Sequence, residues 1–509
     1  MKRTLVILLV AAIALLSACR HSPAEVQTPA ASAGASATDW LESGMPVAAE
    51  EEAVLEDATA AADGEPFSSA APSEFLDGKT ASPTDSRQSA APPTAQPTSS
   101  ESPTVEEGSS VSQLDCHSPA RQNEPIQISP DLKYDVKDYE EPSDPFLASV
   151  LNFSCNTSAQ VLSSGPDNTV FCPISLYYPL ALLSTGANGS TRAQIAAALG
   201  TGNWTNEEIA RQCARLYNRT RRTGQDCAYL VANSLWCRKG LSISPVFART
   251  AAEQFYASIY SADFSDPTTA ERMQQWVRDN TNGLISPTID PPKDSILYLC
   301  NTVYVKGKWS SPFSYPMPGK FTGRDGKSIS CDFMHATRDG NYYKGANYTR
   351  GDVSMGELGT MSFFLPDEDV ALESLLNAEQ LKSMLLRKTE YCEIAYSIPT
   401  VDLKSKVDLK EMLTGLGIQD AFDAFHADFT LLDDPTQTVY IDTVTQEARV
   451  TWDQYGAEAA AYTEMLAPGC APPDQEKPKP KELNLNRPFL FVIHSNEGIL
   501  FAGTCYQPG

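Results

Sequence analysis

Nucleophiles, imidazoles and metal-ligand clusters are the side chains that most often carry chemistry, and in this 509-residue chain their spacing argues against catalysis. Of the five histidines, His21 and His117 lie in a low-complexity segment. His335, His426 and His494 stand far apart, outside any His-Glu-x-x-His or comparable ligand pattern, and read as surface or structural residues. No Gly-x-Ser-x-Gly elbow, Walker loop or dinucleotide-binding glycine pattern occurs, so the reading assigns no catalytic residue, no metal and no cofactor. The twelve cysteines include no Cys-x-x-Cys pair. Cys155, Cys172, Cys237, Cys300 and Cys392 sit in apolar contexts and read as small buried hydrophobes, whereas Cys470 lies in a Pro- and Gly-rich stretch that reads as exposed loop.

The residues that do point to a function are small rather than reactive. Gly456-Ala457-Glu458-Ala459-Ala460-Ala461-Tyr462-Thr463 offers a helix no anchoring stripe. At period two, Ala457, Ala459, Ala461 and Thr463 share one face with Met465 and Ala467, while Glu458, Tyr462 and Glu464 take the other. Such a segment can slide between two strands over a packed core, because its inward face carries no charge to desolvate. The prolines at 468, 472, 473, 478 and 480 exclude the next stretch from a sheet interior and mark an exposed loop. Two apolar runs, Phe489 to Ile493 and Gly498 to Gly503, then read as a closing hairpin.

Three regions of different composition surround this stretch. In residues 1–19, Lys2 and Arg3 precede an apolar run, Leu5 to Leu16, that is too short for a mature span and fits a secretion signal. Leu16-Ser17-Ala18-Cys19 resembles a bacterial lipobox, which implies lipidation of Cys19; the alternative is an ordinary signal peptide with a chance cysteine. Residues 20–140 are rich in Ala, Ser, Thr, Pro and acidic side chains, bury too little to offset chain entropy, and read as a disordered stalk. Much of the net charge of −25 resides there, and it argues against a nucleic-acid partner. Residues 141–509 have the patterning of one mixed α+β domain.

Within that domain, Asn168 to Ser175 turns a strand into a helix with Pro173 in its first turn, and Leu176 to Leu183 is apolar on every side, hence buried. Helices are expected at Phe146 to Phe153, Arg192 to Leu199, Glu207 to Arg222, Pro245 to Tyr256, Thr268 to Asn280, Leu372 to Leu386 and Leu409 to Leu416. Strands are expected at Ala228 to Trp236, Leu299 to Trp309, Gly359 to Leu365, Glu393 to Pro399 and Val439 to Trp452. The phrase Asn301-Thr302-Val303-Tyr304-Val305-Lys306-Gly307-Lys308-Trp309, the buried-helix segment, the alanine-rich hinge and Asn486-Arg487-Pro488-Phe489 together resemble the serpin family in order and spacing.

The resemblance implies a serpin fold: three β-sheets, eight or nine helices and an exposed reactive-centre loop. It also implies suicide inhibition of a serine protease, in which the cleaved loop inserts into the main sheet before the acyl-enzyme is hydrolysed. The hinge would be Gly456 to Thr463; here Ala457 replaces the family's usual threonine or serine, and Tyr462 a usual small residue. Cys172, Ser175, Asn301 and Gln446 correspond to the shutter where the sheet opens, with Cys172 and Gln446 standing for the usual serine and histidine, and Trp309 to the breach at its top. The scissile bond reads as Cys470-Ala471 by distance from Gly456, or Gly469-Cys470 by alignment of Pro472-Pro473. Either register presents small side chains, which favours an elastase-like or subtilisin-like target over one that needs Arg or Lys. Arg211, Arg215, Arg219 and Arg222 share a helix face resembling the polyanion-binding helix of some serpins; a solvated basic face is the plainer alternative. The implied protein is a monomer, lipid-anchored at an extracellular bacterial surface, with a non-inhibitory surface-binding serpin as the competing reading.

Overall fold

A computed structural model describes residues 124–132, 140–165, 167–429, 437–457 and 478–508, all within one compact unit. Cys19, the stalk up to residue 123, hinge positions 458–463 and both readings of the scissile bond (Gly469, Cys470, Ala471) lie outside these residues. The chain enters through β1 (Ile126–Gln127) and α1 (Asp144–Ser163), which has Pro145 in its first turn. β2 (Thr169–Phe171) leads into α2 (Pro173–Thr185), α3 (Gly189–Leu199) and α4 (Asn206–Thr220). The middle of the chain forms β3 (Arg222–Thr223), β4 (Cys227–Arg238), α5 (Pro245–Gln254), β5 (Ala257–Ala262), α6 (Pro267–Asn280) and β6 (Leu297–Lys308). Next come β7 (Met317–Thr322), β8 (Ser328–Lys344), β9 (Tyr348–Ser354), β10 (Thr360–Pro366), α7 (Ala378–Leu386), β11 (Glu390–Pro399), β12 (Val401–Asp408) and α8 (Lys410–Gly415). β13 (Thr443–Asp453), β14 (Gly456–Ala457), β15 (Lys481–Asn484), β16 (Phe489–Ser495) and β17 (Gly498–Cys505) close the fold.

The main sheet has the order β1-β5-β4-β6-β14-β13-β12, with β3 beside β4. The other ladder runs β15-β11-β8-β9-β10-β16-β17-β2, with β7 beside β8. β8 joins two sheets into that one ladder: its first part pairs β7 and β11, and only Tyr342 to Lys344 pair β9. α2 is apolar on all sides because it lies between the ladders, touching β4 and β6 on one side and β17 on the other.

Several boundaries move for local reasons. The expected Leu372 to Leu386 helix splits into a 3-10 turn at Leu372–Leu375 and α7, because the Asn377 side chain accepts the Gln380 N–H (2.8 Å) and starts a new helix. α4 ends at Thr220, where Arg221 turns extended, so Arg222 belongs to a strand and not to the basic helix. Cys155, Cys172, Cys237 and Cys300 are buried, but Cys392 is half-exposed, since β15 covers β11 only from Ile394 onward. No helix of the described residues is long and apolar enough to cross a membrane.

Candidate functional site

The alternation of β6 and β13 builds the site. On β13, Val444, Gln446, Ala448, Val450 and Trp452 point to the core and are buried. On β6 the core face carries Leu299, Asn301, Val303 and Val305, so one polar rung interrupts an apolar seam. Asn301 lies opposite Gln446 on one side and Asn233 of β4 on the other, an amide row across three strands.

The first turn of α2 completes that row. Gln446 accepts the Cys172 N–H at Oε1 (2.8 Å) and directs Nε2 at the Cys172 carbonyl (2.9 Å), Ser175 Oγ (2.9 Å) and Asn301 Oδ1 (3.0 Å). Asn301 Nδ2 donates to the Ser175 carbonyl (2.9 Å) and Asn233 Oδ1 (2.6 Å), and the Ser175 hydroxyl lies 2.6 Å from Asn301 Oδ1. The glutamine thus ties β13 to β6 and both strands to the start of α2. The Cys172 thiol lies 3.1 Å from the Tyr229 hydroxyl, and burial pushes the thiol pKa up, so it stays neutral. Sequence reasoning missed Asn233 and Tyr229; their place opposite Asn301 and Val305 in the β4–β6 register was the signal that could have found them.

The same two strands part higher up. They pair directly, in parallel, from Tyr298–Thr443 to the Thr302–Glu447 rung, where their ladder ends. At the top of the gap Gly456 and Ala457 form β14, with Ala457 opposite both Gly307 and Trp452, antiparallel to each strand. Ala457 is fully buried on the core side. Gly456 has φ +147°, and a Cβ there would stand 2.2 Å from the Gly307 carbonyl oxygen, so only glycine fits. The preceding turn is held open: Asp453 Oδ1 accepts the Tyr455 N–H (2.8 Å), Trp309 donates its backbone N–H to the Tyr455 carbonyl (3.0 Å) and Nε1 to the Asp453 carbonyl (2.8 Å), and Phe313 N–H reaches the Gln454 carbonyl (2.8 Å). Trp309 thus holds the turn that leads from β13 into β14.

The structure places the arginines apart from this seam and gives three of them partners. Arg215 pairs Glu140, Arg219 pairs Glu141 (3.4 Å) and Glu497 (3.1 Å), and Arg222 donates to the Glu357 (3.3 Å) and Arg221 (3.1 Å) carbonyls. A polyanion on this face would compete with the chain's own carboxylates. Arg211 is exposed. Among the described residues no cluster of His, Cys, Asp or Glu suits a metal ion. His335 is half-buried, His426 pairs Asp423 (3.1 Å), and His494 contacts Ser362 (2.8 Å).

A family model described as serpin, serine protease inhibitor, matches residues 148–508. Serpin I2 of Homo sapiens is 26% identical over 372 residues, covering 70% of this chain and 90% of the relative. Neuroserpin of Homo sapiens is 25% identical over 381 residues, covering 70% and 91%. The crystal structure of a thermophilic serpin, tengpin, in the native state superposes with a TM-score of 0.67 at 23% identity, covering 75% of this chain and 100% of that one.

Proposed function

Because the chain belongs to the serpin family, we propose that it is an inhibitory member, which traps a serine protease by inserting its cleaved loop between β6 and β13. The observation that carries this reading is β14: Gly456 and Ala457 already occupy the first two rungs of the gap, while the strands that an inserting loop would separate are paired only below. The protease serine oxygen would attack the scissile carbonyl and expel the amine, leaving the loop attached as an ester. The freed hinge then completes two ladders at once, and that gain draws the acylated protease away before water can attack. The inward positions beyond Ala457 are Ala459, Ala461 and Thr463, none of which brings a charge into the core.

Small residues at Cys470-Ala471, or at Gly469-Cys470, suit an elastase-like or subtilisin-like protease with a shallow pocket. Lipidation of Cys19 and the acidic stalk of residues 20–140 would hold the domain, as a monomer, outside a bacterial membrane. Incubation with pancreatic elastase and with subtilisin tests the reading. The expected product is a complex that survives SDS, and Ala461→Arg, which would carry a charge onto the core face on insertion, should convert the inhibitor into a substrate that is nicked and released. Nicking of the unaltered protein by every protease, with no complex, would overturn it.

A further inference from the structure

Three consecutive backbone carbonyls, those of Asp453, Gln454 and Tyr455, form the turn between β13 and β14. One neighbouring segment holds all three: the Trp309 indole N–H, the Phe313 N–H and the Trp309 backbone N–H reach them in that order, at 2.8, 2.8 and 3.0 Å. Because Asp453 pairs with Gly456 across the turn, the position of the turn sets the register of β14 against β13 and, through Gly307 and Lys308, against β6. The segment that does the holding, residues 309–316, is itself only the connection between β6 and β7. A connection must be stiffened before it can position anything.

An arginine from the other ladder stiffens it. Arg338 of β8 lays its guanidinium over the Phe313 ring, 3.9 Å from the centroid, and gives Nη1 to the Ser311 carbonyl (2.6 Å). Phe313 is buried, with its ring edge-on to Trp309 (5.6 Å) and to Tyr396 (6.2 Å), and the Tyr396 hydroxyl donates to the Asp352 carbonyl (2.6 Å), which anchors that end of the stack. The ends of the 309–316 segment are clipped elsewhere, Ser310 N–H to the Ser354 carbonyl (3.0 Å) and Ser314 N–H to the His335 carbonyl (2.8 Å), which leaves Ser311 to Phe313 to the arginine. Among the described residues Arg338 has no carboxylate partner, and its Nε and Nη2 are buried without an acceptor. An arginine keeps its charge when buried, so so poorly hydrogen-bonded a cation is costly, and the face of the Phe313 ring is what offsets the cost.

We propose that Arg338 is a positioning residue for loop insertion: through Phe313 and the Ser311 carbonyl it fixes the bracket on the 453–455 turn and so keeps β14 in register at the top of the seam. This rests on the insertion reading above and names a residue on which the efficiency of insertion depends. A strand that starts in register adds one rung after another to both partners. A frayed turn must first re-form, and during that delay water can hydrolyse the acyl-enzyme. Loss of Arg338 therefore diverts molecules from the trapped complex to the cleaved, released product without changing how fast the protease attacks.

Arg338→Met in the full chain tests this with two readouts. In the intact protein, hydrogen exchange of residues 309–314 should quicken about twofold to fivefold, the factor to which a cation–π contact corresponds, while β16 and β17 exchange as before. On incubation with subtilisin, the total rate of loop cutting should stay the same and the ratio of cleaved protein to SDS-resistant complex should rise about twofold to fivefold. A residue that only stabilised the fold would loosen both ladders alike and leave that ratio alone. Unchanged exchange at 309–314 would overturn the positioning role whether or not a complex forms. Faster exchange with an unchanged ratio would overturn it too, while the insertion reading stands. If the unaltered protein forms no complex with subtilisin or elastase, the insertion reading fails and takes this role with it.

Discussion

Two buried polar clusters, one in each ladder, are satisfied to different degrees. On β9, Arg350 forms a bidentate pair with Asp352, Nε to Oδ1 and Nη2 to Oδ2 at 2.8 and 2.9 Å, and gives Nη1 to the Met384 and Leu385 carbonyls at the end of α7 (2.9 Å each). Both side chains are less than 5% exposed, and every guanidinium nitrogen has a partner. On β6 and β13 the amide row is well bonded to α2, yet Asn233 Nδ2 and, one rung up, Thr302 and Glu447 Oε2 are left without partners. The first cluster sits between strands paired on both sides and behaves as permanent glue. The second sits on a seam that ends one rung later, and its incomplete bonding is what the insertion proposed above, which would exchange its partners, calls for.

The widest gap between the two should appear on removal of one member. Arg350→Met leaves the Asp352 carboxylate buried and unpaired and should cost about 3–5 kcal/mol in urea unfolding. Replacing both residues by apolar ones should recover most of it. Gln446→Ala removes the hydrogen bond that joins β13 to the Ser175 hydroxyl and should cost about 1–3 kcal/mol in the intact protein. After loop cleavage the same substitution should cost less, because an inserted strand would already have separated Gln446 from Asn301. Equal costs in both forms would erase the distinction between glue and joint.

The sequence shows the seam better than the glue. At period two Ala457, Ala459 and Ala461 read as one small, uncharged strand face, and Asn301, Gln446 and Trp309 stand in runs whose alternation assigns them a face. Arg350 and Asp352 gave no such signal: in Tyr348 to Ser354 they look like the polar face of an edge strand, and only the tertiary placement of β9 beside α7 buries them. β5, β7, β8, β9 and β12 escaped for a related reason, since several carry exposed or mixed faces whose apolar content is too low to show a period. The family resemblance singled out Gln446, but three of its four hydrogen bonds depend on the α2 turn arriving within 3.0 Å, which periodicity does not encode.

The smallest expected effect concerns a histidine beside the permanent cluster. His494 of β16 is opposite Thr360 and hydrogen-bonds Ser362 through Nε2. Burial, helped by the Arg350 guanidinium, pushes its pKa down to about 4, against a smaller opposing pull from Asp352. The folded pKa lies below the unfolded value of about 6.5, so between those two pH values the unfolded chain binds the extra proton. The contribution of His494 to stability is therefore fully present above pH 6.5 and is lost as pH falls toward 4. His494→Gln, which keeps a nitrogen for Ser362 but cannot titrate, should flatten the melting curve against pH across that window and leave it unchanged at pH 8. An unaltered slope between pH 6.5 and 4 would mean that neither burial nor the Arg350 guanidinium keeps the folded imidazole neutral in that window.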